Sequence, residues 1–110
     1  MAPRDTLGDF EHLVMLALLR LGDEAYGVTV RQEIASRTHR DVSIGAVYAT
    51  LDRLQSKGYV KSQMGEATPQ RGGKRKRFFR VTAKGAEAVN RTHRALRSMA
   101  EGLKLAERFS

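Results

Sequence analysis

Ser43-Ile44-Gly45-Ala46-Val47-Tyr48-Ala49-Thr50-Leu51-Asp52-Arg53-Leu54 is the stretch on which the fold turns. A serine stands just ahead of Val47, Leu51 and Leu54, which recur at helical spacing. That pattern predicts a helix capped by the Ser43 hydroxyl, apolar on one face and closed by Gly58. Upstream, residues 27–38 predict a second helix with Val30, Ile34 and Ala35 inward. The polar run Thr38-His39-Arg40-Asp41-Val42 between the two is short enough to be a turn. Two helices joined by a tight turn, the second well capped, read as a helix-turn-helix.

Further upstream, Asp9 is positioned to cap a first helix and Gly22 to end it. Phe10, Leu13, Val14, Ala17, Leu18 and Leu21 form its apolar stripe, while Met15, Leu16 and Leu19 lie off it. A helix apolar on more than one face buries a second side, in the fold or against a second subunit; the subunit is the favoured reading. Residues 1–6 show no periodicity and read as a flexible tail. After Gly58 the pattern changes. Residues 59–64 and 77–82 are rich in strand formers and flank Pro69, Gly72 and Gly73, as in a β-hairpin. From Ala83, with Thr82 as cap, a helical pattern runs to about Arg108. Val89, Thr92, Leu96, Met99, Leu103 and Ala106 follow the alternating three-and-four spacing of a coiled-coil seam. The expected architecture is mainly α with a β-hairpin wing (α+β): a winged helix-turn-helix over residues 7–82 and a long C-terminal dimerisation helix over 83–110.

The chain has 110 residues, 41% hydrophobic and 29% charged, enough for one globular domain. It lacks cysteine, which excludes disulfides, thiolate metal sites and a cysteine nucleophile. Its longest apolar run, Leu13 to Leu19, falls far short of the roughly 20 residues that span a bilayer. No leader pattern is visible, so a cytoplasmic protein without membrane attachment is expected. The net charge of +8 is unevenly placed. Residues 1–58 hold seven basic and eight acidic side chains, 59–82 hold seven and one, and 83–110 hold six and three. So concentrated a basic excess points to a polyanion, and nucleic acid is the commonest.

Two places can meet DNA. The capped N-terminus of the Ser43 helix presents free amides and partial positive charge to a phosphate. Gly45 and Ala49 are small enough for close approach to a groove, and Tyr48 and Arg53 flank them. Tyr48 can equally be a half-buried packing residue. The second place is the hairpin tip, where five of the seven residues Arg71–Arg77 are basic. Arg71, Lys74, Arg75 and Lys76 are the candidate contacts; Arg77 and Arg80 rank below them because strand alternation points them differently.

These residues resemble a known family. The run from Ser43 to Leu54, Gly58-Tyr59-Val60, the segment Gly73–Gly85 and Tyr26-Gly27 are together similar to the signature of PadR-type transcriptional regulators. The length resembles the short subgroup with a single C-terminal helix. The resemblance implies a dimeric repressor that binds double-stranded DNA at a pseudo-palindromic operator and is released by a small aromatic or hydrophobic effector. Some short members sandwich flat aromatic ligands with a tryptophan on the last helix, and this chain has no tryptophan.

The expected homodimer interface joins Met15, Leu16 and Leu19 of the first helix to Val89, Leu96, Met99 and Leu103 of the last. No cofactor, metal or catalytic site is expected, since His12, His39 and His93 have no ligand spacing and no nucleophile or phosphate-loop motif appears. A winged-helix module that binds protein, or an RNA-binding protein using the same hairpin, are the alternatives that the sequence leaves open.

Overall fold

The Ser43 Oγ accepts the Ala46 N–H at 3.0 Å, and the Thr82 Oγ1 accepts the Gly85 N–H at 3.0 Å. Both caps start helices where the sequence places them. The computed structural model describes residues 6–65 and 75–105. In chain order it contains α1 (Asp9–Leu21), a 3₁₀ turn (Gly22–Glu24), α2 (Gly27–Thr38), α3 (Ile44–Ser56), β1 (Val60–Met64), β2 (Arg77–Val81) and α4 (Ala83–Ala100). The strands pair antiparallel, Val60 with Val81, Ser62 with Phe79 and Met64 with Arg77. On the other side of β2 the Phe79 N–H donates to the Ala25 carbonyl at 2.9 Å, and Tyr26 forms a bridge with Phe78. The hairpin is thereby anchored to the start of α2. This is an α+β winged helix.

α1 lies at the centre, against α2, α3, β2 and α4. That position explains its excess of apolar residues and corrects one expectation. Met15 is fully buried in the chain's own core, so it is not available to a partner; Leu16 and Leu19 remain exposed. The cap of α1 also differs. Gly8 occupies it, and its N–H donates to the Glu11 carboxylate at 2.9 Å. Asp9 instead receives Arg40 at 2.7 Å. On α2, Val30 and Ile34 are buried, but Ala35 faces outward.

α4 departs most from its sequence reading. Val89 is buried, and so is Thr92, whose Oγ1 accepts the Leu7 N–H at 2.8 Å. The first half of the helix therefore closes the core, and Val89 is withdrawn from the partner-facing seam. Leu96, Met99 and Leu103 stay exposed. The helix stops at Ala100, and Gly102 takes a left-handed φ of 83°. At 1.5 Å per residue it is about 27 Å long. Ala106 and Arg108 lie outside the described residues, as do residues 1–5 of the expected tail.

Candidate nucleic-acid interface

The Val47, Leu51 and Leu54 face of α3 is completely buried, which turns Gly45, Ala46, Ala49 and Asp52 outward. Ser43 and Gly45 are exposed at its first turn, the positively polarised end of the helix. Tyr48 is half-buried. A Cβ at Gly27 would lie 2.3 Å from Tyr48 Cζ and 2.4 Å from its hydroxyl. The absent side chain at Gly27 is thus the seat of the phenol. Packing against α2 holds Tyr48 beside the exposed face of α3.

Arg53 is drawn the other way. Its Nε donates to Glu11 Oε2 at 3.2 Å, and Lys57 Nζ reaches the same oxygen at 3.0 Å. Arg53 thus helps to neutralise a buried carboxylate of α1 while its side chain stays 54% exposed. No sequence pattern links positions 42 residues apart, so this pairing was not legible.

Of the four tip residues, Arg71 and Lys74 lie outside the described segments. Arg75 and Lys76 stand at the wing's base. Arg75 Nε donates to the Gly65 carbonyl at 2.8 Å, and the Gly65 N–H donates to the Lys76 carbonyl at 2.6 Å, closing the hairpin's neck. Lys76 Nζ sits 3.8 Å from the centroid of Tyr26, whose ring meets Phe78 edge-on at 5.5 Å. Arg77, ranked low from the sequence, bridges β2 to Asp52 and Gln55 of α3 at 3.2 and 3.3 Å. The base of the wing is thereby tied to α3.

Two buried groups give the fold an expected sensitivity to acid. Burial alone would raise the Glu11 carboxyl, but the Gly8 N–H, Lys57 and Arg53 outweigh it and hold the carboxyl below its ordinary 4.5. Burial, together with the charge of His93, pushes His12 below its ordinary 6.5, against an opposing pull from Asp9. Among the described residues the His12 Nδ1 has no hydrogen-bond partner. For Glu11 the unfolded state binds protons more readily, so its stabilisation is full above pH 4.5 and lost as pH falls through the lower native value. For His12 the unfolded chain again binds the proton first, so stability declines as pH falls from 6.5 toward its native value. Melting temperature is expected to fall in two stages between pH 8 and 3, with Glu11→Gln removing the lower one. A flat profile would overturn both assignments.

A capped helix with a small-residue exposed face, joined to a basic hairpin, defines the winged-helix DNA-binding class. Comparison with known proteins narrows this. The profile of the Transcriptional regulator PadR-like family matches residues 15–91, and the chain belongs to that family. It is 32% identical over 78 residues to the transcriptional regulator Rv3488 of Mycobacterium tuberculosis, covering 71% of this chain and 68% of that one. An uncharacterised protein of Lysinibacillus sphaericus is 35% identical over 77 residues, covering 67% and 68%. Among solved structures, a PadR family regulator from Clostridium difficile superposes with a TM-score of 0.72 at 22% identity, over 86% of this chain and 93% of that one. The winged-helix DNA-binding protein F93 from STIV gives 0.69 at 17% identity, over 89% and 98%. These two likenesses concern the fold. The protein is a DNA-binding transcriptional regulator of the PadR-like family.

Proposed function

We propose that the chain is a dimeric repressor that binds a pseudo-palindromic operator in the cytoplasm and leaves it when a small aromatic or hydrophobic effector binds. The observation that carries the DNA reading is the joined surface of α3 and the wing, held by Arg77 across to Asp52 and Gln55. Ser43 and Gly45 would meet phosphates at the start of α3, and Ala49 and Tyr48 the groove. Arg71, Lys74, Arg75 and Lys76 would track the backbone beside it. Arg53, paired with Glu11 yet half-exposed, would add positive charge at the edge of that surface. Leu16 and Leu19 of one subunit and Leu96, Met99 and Leu103 of the other form the proposed dimer contact, beside which an effector would act on the spacing of the two heads.

Footprinting on the DNA upstream of the chain's own reading frame tests the function, with binding measured across a salt series. Each phosphate contact adds about 0.9 to the slope of log affinity against log salt. The triple variant Lys74→Ala, Arg75→Ala, Lys76→Ala is therefore expected to flatten the slope by up to about 2.7 and weaken all duplexes alike. An unchanged slope would remove the wing from the interface. Preference for structured RNA over duplex, or no preference for the upstream DNA, would overturn the operator reading.

A further inference from the structure

Asp52 is the only acid on α3, and it lies on the exposed side of the helix. Turned toward DNA, a bare carboxylate there would repel the phosphates. The two cations nearest in sequence, Arg53 and Lys57, are both committed to Glu11. Arg77 takes their place. Its Nη1 donates to Asp52 Oδ1 at 3.2 Å, and its Nη2 to Gln55 Oε1 at 3.3 Å. Gln55 stands three residues after Asp52, on the same side of α3. The guanidinium carbon lies 4.9 Å from the centroid of Phe79, a core residue two positions along the same strand. Both terminal nitrogens are thus turned to α3, and the aromatic ring supports the group from the core side. The Arg77 side chain is 34% exposed, against 61% for Asp52. The base of the wing thus carries a cation whose fork is spent inside the protein.

We propose that Arg77 is a positioning residue for DNA binding: it cancels the charge of Asp52, so that the exposed face of α3 can approach a polyanion. The proposal rests on the α3–wing interface described above. It assigns Arg77 a role unlike that of the tip cations, which would touch phosphates directly. The two roles make opposite predictions for one double variant. If Arg77 acts through Asp52, removing both charges restores what removing one destroys. If Arg77 itself contacts a phosphate, removing Asp52 gives nothing back.

The experiment measures duplex affinity and its salt slope for the full chain. An uncompensated charge about 6 Å from a phosphate, at an intermediate dielectric, corresponds to roughly a tenfold change in affinity. Arg77→Gln is therefore expected to weaken binding about tenfold, and adding Asp52→Asn to bring it back to within about threefold of the parent. Asp52→Asn alone should bind as well as the parent or better. Adding Glu87→Gln on α4 to Arg77→Gln restores the same net charge far from the interface in sequence, and should not rescue. Melting temperatures of all variants separate a loss of fold from a loss of binding. Should Arg77→Gln unfold, Arg77→Met keeps an apolar stem against Phe79 without the charge, and the same comparison with and without Asp52→Asn is read from it. A double variant as weak as Arg77→Gln, with the slope reduced by about 0.9, would overturn the proposal in favour of direct contact. Equal rescue by Glu87→Gln would overturn it in favour of a net-charge effect. Failure of the parent to bind any duplex would instead sink the DNA interface itself.

Discussion

Gly85→Ala is expected to destabilise the protein by about 2 kcal/mol and lower its melting temperature by on the order of 10 °C. Helix propensity alone argues the reverse, since alanine in a helix interior is favoured over glycine by about 1 kcal/mol. The local geometry decides the sign. A Cβ at position 85 would lie 2.1 Å from the Tyr59 carbonyl oxygen and 2.9 Å from the Met15 methyl. That oxygen cannot step aside, because it accepts the Thr82 N–H at 3.0 Å and so ties the chain ahead of β1 to the cap of α4. α4 would have to lift from α1, opening the contact around Met15 and Ala88, both completely buried. Overpacking costs about 1–3 kcal/mol, and an approach this close to a fixed backbone oxygen belongs at the top of that range, so about 2 kcal/mol remains after the propensity gain. A urea or thermal melt decides the matter. An unchanged or higher melting temperature would mean that α4 is not seated on Tyr59 as described.

Position 85 also marks where sequence reading succeeds and where it stops. Its glycine belongs to the run that carries the family likeness, yet nothing in the run says that a carbonyl presses against it. Local signals served well. Ser43 and Thr82 cap helices by accepting the amide N–H three residues on, a relation that lies wholly within a short window. Strand-forming runs on either side of a glycine-rich turn likewise declared the hairpin. What depends on distant partners was not legible. Met15 and Val89 look like spare apolar residues until α1 proves to be the central helix, touched on several sides. Arg53 faces Glu11 and Arg77 faces Asp52 across separations of 42 and 25 residues, which no periodicity encodes. Gly102 is a local signal too: a left-handed glycine two residues past Ala100 marks the end of α4, although the apolar spacing continues to Leu103.

Leu96→Glu combined with Leu103→Glu is expected to split the proposed dimer into monomers and to lower affinity for the proposed operator by a factor of about 10²–10⁴. Within one chain neither side chain has a burial role: Leu96 is 59% exposed, Leu103 49% and Met99, between them, 81%. On α1, Leu16 and Leu19 are exposed by 38% and 50%. Two apolar strips on one small domain are costly to leave in water, and a two-fold axis would let each cover the other. Four glutamates would then meet in an apolar contact, and ionised carboxylates in such a place oppose association strongly. Binding would collapse with α3 and the wing intact, because two heads held about 34–36 Å apart engage successive half-sites, and a free head engages only one. The fold of the single chain should survive, since the core residues Met15, Val89 and Thr92 are untouched. Sedimentation, a thermal melt and operator titration together separate the outcomes. A monomer that melts normally but binds the whole operator as tightly as the parent would show that dimerisation does not set affinity. A variant that remains dimeric would place the interface on another surface, and the effector site with it.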